Sequence, residues 1–404
     1  MSNSITTAAE ARYGKASKRR RLITTDSHIS VPFEVADELP AKYRRFVPHL
    51  DRRADGTYLM RPDIANMMSI SEAQHPLVAG VKVDLDDEAN MARLAIGNSQ
   101  GHIAVSLYPK GRLAEMEKEG VVAEVLLGKS ATGYFGGPDP DASVAWCKLN
   151  NDWYADTYKD YLGQFAPSIT LPVPAGMAAC VKELERAAGL GLRPVLMPEV
   201  IRDKPWYLRE WEPLWEACAA LKIPFVLHIS GTGLLMPWVS LKPEENPAGS
   251  LNTWIGMAGH TAELLGMFVN SGILERHPDL QVVFTELHAG WLAWAMHLYD
   301  HYTLDPVNRE QAKNFGYPVS SLKELPSYYI KRQVKCSFLW DPIAIKNRHE
   351  TGLDCLMWSN DYPHTESMWP DSQVLIEKQF AGVPEDEIAK LVHDNAAKLY
   401  GFTV

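Results

Sequence analysis

The chain has 404 residues, of which 46% are apolar and 22% charged, and its formal charge is −10. That length suffices for one large core, and the composition is that of an ordinary globular enzyme. The acidic balance argues against a nucleic-acid partner, which needs a basic face, and no apolar run reaches the roughly 18 residues of a membrane span.

No signal-peptide pattern follows Met1. Cys147, Cys180, Cys218, Cys336 and Cys355 are odd in number and lack CxxC spacing. They read as reduced, mostly buried thiols of a cytoplasmic protein.

Residues 1–21 are expected to form a flexible N-terminal arm whose basic run, KASKRRR at 15–21, is solvated. A first strand of β-branched residues follows in RLITTD (21–26). Residues 33–110 then break the rhythm with a turn-like Asp55–Gly56 and the Met-rich MRPDIANMMSI, and are read as an insertion lying over one end of the fold. Regular alternation begins with a helix at 113–119, ended by Gly120, and the near-continuous apolar strand VVAEVLL.

Helices at 141–161, 176–188, 210–221, 261–275 and 291–301 alternate with strands in FAPSITLPV, RPVLMP, IPFVLH and LQVVFTE. Strands QVKCSF and DCLMWSND flank a helix near 342–349, and an amphipathic helix over 385–400 ends the chain. About eight strand–helix units predict an α/β protein, a (β/α)₈ TIM barrel spanning 22–404 with C-terminal helices. The absence of GxGxxG after the first strand counts against an open dinucleotide-binding sheet.

Barrels of this kind carry their chemistry at the C-terminal ends of the strands. Four stretches place acidic and imidazole groups there: TTDSHIS (24–30), FVLHIS (225–230), FTELHAGW (284–291) and WSNDYPH (358–364). Asp26 and His28 stand two apart and should share one side of an extended chain, as should Glu286 and His288. With His228 and Asp361 they supply hard oxygen and imidazole ligands for a divalent metal. His260 and His364 are weaker candidates for lining the substrate pocket. The tryptophans of WEPLWEA and GWLAW suit helix packing better than substrate stacking.

The motifs DSHISVP, RLAEMEKEGVVAEVLL, SGILERHPDLQVVFTE, GWLAW and SNDYPH together resemble the amidohydrolase-related family, in the branch that contains aminocarboxymuconate semialdehyde decarboxylase. The resemblance runs over about 22–402, with 33–110 matching poorly. It implies a metal held by Asp26, His28, His228 and Asp361, zinc or manganese being favoured. The strand-six position is often histidine in the decarboxylases; here it is Glu286, which tilts the reading from decarboxylation back towards hydrolysis. Asp361, Glu286 and His288 are the expected catalytic groups, acting on a small carboxylate.

Two alternatives follow from the surplus of ligands. One is a dinuclear iron or manganese–iron oxygenase component. The other is a non-catalytic metal-binding subunit. Apolar pieces in the insertion, LVAGVKV and ANMMSI, predict self-association or pairing with a homologous subunit.

Overall fold

The computed structural model describes residues 7–29, 31–44, 46–47, 49–52, 58–61, 108–128, 139–201, 204–229, 249–316, 322–364 and 367–404. Most of the expected insertion, including LVAGVKV and ANMMSI, lies outside the described residues. Its described part holds a short 3₁₀ turn, Phe33–Glu38, and an antiparallel pair, His49–Arg52 with Tyr58–Arg61.

Eight parallel strands follow the predicted order: β1 Leu22–Ile29, β2 Val121–Gly128, β3 Phe165–Pro167, β4 Val195–Pro198, β5 Phe225–His228, β6 Val282–Thr285, β7 Val334–Phe338 and β8 Leu356–Trp358. They form a three-stranded run, β1-β2-β3, and a five-stranded run, β8-β7-β6-β5-β4. Single parallel bridges join the runs at both seams, Ile169 to Val195 and Ser27 to Tyr362. The sheet is thereby closed, and the fold is a TIM barrel.

Local sequence explains the punctuation. Helix Pro109–Glu119 stops at Gly120, whose φ of 73° places it in the left-handed region, and its N–H caps the carbonyl of Glu117. A Cβ there would stand 2.6 Å from Gln373 Nε2 and 2.7 Å from the Arg20 carbonyl, so both backbone and space require glycine. The chain then enters β2, whose apolar run is buried on both faces, as a strand covered by helices must be.

Two apolar layers result. Outside the barrel, Trp206, Trp215, Phe225 and Phe268 pack edge to face between strands and helices. Trp211 and Trp215 are thus core residues, whereas Trp294 of GWLAW stands exposed. Inside, Ile23, Ala123, Ala166, Leu196, Val226, Val283 and Met357 form one apolar cluster with Ala396, Tyr400 and Phe402. These strand residues lie near the strand starts, so the C-terminal helix plugs the N-terminal mouth of the barrel.

The basic run, expected to be solvated, keeps Lys15, Lys18, Arg19 and Arg21 exposed and also makes contacts with the body of the protein. Lys18 and Arg20 pair with Glu385 at 2.9 and 2.8 Å, and the Ser17 N–H donates to Glu377 at 2.7 Å. Arg19 donates to the carbonyl of Lys118 at 3.2 Å. Among the described residues no helix is long and apolar enough to cross a membrane.

Candidate metal centre

Asp26 and His28 occupy the last half of β1, and both side chains are buried. The strand carries an irregularity between Thr24 and Ser27 relative to β2. Asp26 falls within that irregularity, and its side chain still meets that of His28, with Oδ1 3.4 Å from Nε2. His228 is the last residue of β5, and its Nε2 stands 3.6 Å from Asp26 Oδ1. Glu286 follows β6 directly and brings Oε2 to 3.2 Å from the same nitrogen.

One ligand atom from each of Asp26, His28, His228 and Glu286 lies within 4.8 Å of the other three. Four ligands at about 2.0–2.3 Å around a tetrahedral ion stand about 3.3–3.8 Å from one another. The contacts of 3.2, 3.4 and 3.6 Å are close to that spacing. Both Asp26 oxygens and His228 Nε2 are buried without a well-formed hydrogen bond among the described residues. Buried carboxylates and imidazoles in that state are expensive unless a cation satisfies them. The donor set fits a divalent metal.

The imidazoles are also oriented for it. His28 Nδ1 lies 3.3 Å from the carbonyl of Leu127, and His228 Nδ1 2.6 Å from that of Ile229. A carbonyl only accepts, so each Nδ1 carries the proton and each Nε2 lone pair points into the cluster. In the metal-free chain His228 titrates differently. Burial opposes its charge, but the neighbouring Asp26 and Glu286 carboxylates prevail and push its pKa up to about 10. A cation entering there displaces a proton.

A second group overlaps the first. His28, Glu286, Asp361 and His364 also offer ligand atoms within 4.8 Å of one another. Asp361 is fully buried, with Oδ1 2.9 Å from His28 Nε2 and Oδ2 3.1 Å from His364 Nδ1. The His364 ring stacks on His28 at 4.0 Å between centroids. The grouping therefore differs from the one expected: Glu286 takes the place given to Asp361 beside Asp26, His28 and His228, and Asp361 falls in the second group.

His288 and His260 join neither group among the described residues. His260 is half-buried on helix Gly249–Val269, with Nδ1 3.4 Å from Glu263. His288 is exposed. The expectation that Glu286 and His288 face the same way applied a strand's period beyond the strand. β6 ends at Thr285, and Glu286 and His288 both adopt positive φ, 59° and 58°. Two left-handed residues turn the chain, burying Glu286 and leaving His288 outside. Asp361, at φ 56°, is strained in the same way.

Glu199 is not among the site residues expected from the sequence. It follows β4 directly, is fully buried, and its N–H donates to the His228 carbonyl at 3.0 Å. The acidic residue closing RPVLMPE, at a strand end, was the available signal.

A family model for amidohydrolases matches residues 99–402, more than half of the chain. The chain belongs to the amidohydrolase family. Solved structures agree in fold along almost its whole length. An amidohydrolase from Mycobacterium avium subsp. paratuberculosis K-10 superposes with a TM-score of 0.67 at 16% identity, covering 95% of this chain and 100% of that one. The 5-carboxyvanillate decarboxylase of Sphingomonas paucimobilis gives 0.62 at 22% identity, with 95% and 99% covered. A dihydroxybenzoic acid decarboxylase from Polaromonas sp. JS666, solved with manganese and 2-nitroresorcinol bound, gives 0.60 at 16% identity, with 95% and 97% covered. At these identities the likeness concerns the fold. Within it, this amidohydrolase gathers its acidic and imidazole groups at the C-terminal mouth of the barrel.

Proposed function

We propose that this amidohydrolase is a divalent-metal-dependent carboxy-lyase that releases CO₂ from a small aromatic carboxylate. The reading rests on the buried Asp26–His28–His228–Glu286 group, whose spacing suits one ion. Manganese or zinc matches its oxygen and imidazole donors. When bound, the cation would hold and orient the substrate carboxylate through its oxygens.

The protein's own groups do the rest. Asp26, His28, His228 and Glu286 hold the cation; Asp361, between His28 and His364, holds the proton needed at the ring carbon. That proton forms the new C–H bond as the C–C bond breaks. The bonding pair returns to the ring, CO₂ departs, and solvent reprotonates Asp361. The named activities of the carboxyvanillate and dihydroxybenzoate decarboxylases of the same fold support this choice over hydrolysis.

One observation favours a second reading. The two ligand groups share His28 and Glu286, the arrangement that two neighbouring cations would use, and a dinuclear iron or manganese–iron centre would suit an oxygenase component.

Metal analysis of the purified chain, with CO₂ release assayed on 2,6-dihydroxybenzoate and 5-carboxyvanillate, tests both. One manganese or zinc per chain with CO₂ release is expected; two metals including iron, without CO₂, would replace the carboxy-lyase reading with the oxygenase one. Glu286→Gln should weaken metal retention and turnover together. His288→Ala should change turnover by less than about tenfold, below the usual contribution of an acid–base group.

A further inference from the structure

Arg112 is completely buried, on helix Pro109–Glu119. A buried guanidinium is costly, and Glu124 of β2 meets it with an ion pair at Nε. Burial works against the charge, and the neighbouring Glu124 carboxylate keeps Arg112 protonated. Such a pair does not by itself favour the fold over a well-packed apolar pair. What the guanidinium offers is a rigid fork of donors.

The other arms of that fork reach backbone. Nη1 donates to the carbonyl of His28 at 2.9 Å, and Nη2 lies 3.5 Å from the carbonyl of Tyr362. The guanidinium also lies over the Tyr362 ring, 5.3 Å from its centroid. His28 belongs to both ligand groups, and Tyr362 follows Asp361 in the chain. The fork therefore links the end of β1 to the segment after β8.

That link falls at a thin point of the barrel. Among the described residues, β1 and the β8 side are joined by the single Ser27–Tyr362 bridge, as β3 and β4 are by Ile169–Val195, whereas the other neighbours share ladders of three residue pairs or more. The backbone contacts across it are His28 N–H to Tyr362 O at 2.7 Å and Asp361 N–H to Asp26 O at 2.9 Å. The spacing of Asp26, His28 and Asp361 depends on this seam, which Thr24, Thr25 and Ser27 also span by side-chain contacts to Asn360 and Trp358, and which Arg112 spans from helix Pro109–Glu119.

We propose that Arg112 is a positioning residue that sets the separation of His28 and Asp361, and through it the affinity of the cluster for a divalent cation. The proposal rests on the metal-centre reading above. Its prediction is distinct from loss of stability: the cation should bind more weakly and in an altered ligand field while the chain stays folded.

The test is a Mn(II) titration read by electron paramagnetic resonance of free and bound ion, on the full chain and three variants. Arg112→Lys keeps the charge and loses the fork; it should bind Mn(II) about tenfold more weakly or worse, with a changed bound-ion spectrum, since residues that support metal ligands typically contribute 10–100-fold. Leu184→Ala, in the core of helix Met177–Gly189, should lower the melting temperature yet keep the wild-type affinity and spectrum. Glu124→Gln frees the guanidinium from its anchor and should weaken binding to a lesser degree; it decides the matter if Arg112→Lys does not fold. Wild-type affinity and spectrum in folded Arg112→Lys, or in Glu124→Gln where that variant decides, would overturn the proposal alone. So would equal weakening in Leu184→Ala. A wild-type chain that binds no Mn(II) would overturn the metal-centre reading together with it.

Discussion

The two mouths of the barrel are built from the same strands and solve opposite problems. At the N-terminal mouth, Ile23, Ala166, Leu196, Val226, Val283 and Met357 close against Ala396, Tyr400 and Phe402, and this packing is nearly all apolar. At the C-terminal mouth the same strands end in Asp26, His28, His228, Glu286 and Asp361, buried and charged or chargeable. Among the described residues, three of the four non-glycine residues with positive φ, Glu286, His288 and Asp361, lie there. One end of each strand contributes stability, and the other spends part of it on a strained, desolvated cluster.

The largest effect that would break this division belongs to the charged mouth. His228→Ala removes a nitrogen from the ligand group and should lower metal affinity by about a thousandfold, with loss of the associated activity, consistent with a lost inner ligand costing more than the 10–100-fold of an outer partner. The metal-free variant should melt below the metal-free wild type at neutral pH, because the buried Asp26 and Glu286 carboxylates lose the protonated imidazole that pairs with them. Calorimetry with and without Mn(II) checks both; unchanged metal-free stability would show that His228 pairs with neither carboxylate when the metal is absent.

The apolar mouth should respond in reverse. Leu196→Ala opens a cavity in a fully buried layer and should destabilise by about 2–5 kcal/mol. Metal affinity per folded molecule should stay within about twofold, since Leu196 supplies no ligand atom and belongs to the apolar layer. Chemical denaturation and metal titration of one preparation measure the two quantities together. Coupled losses would mean that the plug and the metal centre form one cooperative unit.

The smallest effect sharpens the comparison by placing a titrating group outside the metal centre. Glu119 ends the helix before β2 and accepts the Ser372 N–H at 3.0 Å. Burial pushes its pKa up from 4.5 to about 7, against the hydrogen bonds from Ser372. Between those values the folded chain holds a proton that the unfolded chain has released, so stability falls as pH rises through this window and the loss is complete above about 7. Glu119→Gln should therefore gain about 1–3 kcal/mol at pH 8 and nothing below pH 4. Melting temperatures at the two pH values check the sign; equal shifts at both would remove titration as the cause.

Much of this architecture is legible in the sequence because strand–helix alternation is a local signal. VVAEVLL, IPFVLH and LQVVFTE announce buried parallel strands through composition alone, and the helices at 176–188 and 210–221 fall within a few residues of those observed. Asp26 and His28 are legible as a pair because both lie inside β1, and their side chains meet although Asp26 falls in an irregularity of the strand. His228 is legible because it closes a strand.

Tertiary structure alone decided the rest, for a physical reason that recurs at each site. The sequence by itself determined which residue types arrive at the barrel's mouth, since strand ends follow from local pattern. It did not determine how they are shared out, because beyond a strand the backbone torsions are set by what the segment packs against. At Glu286 and His288 left-handed torsions separate a pair that the pattern placed side by side. At Asp361, three residues past β8, a left-handed turn and the Asp26 carbonyl direct the carboxylate towards His28 and His364. Arg112 lies 84 residues from His28 in the chain, and no local period links them; only closure of the barrel brings its fork to the His28 carbonyl.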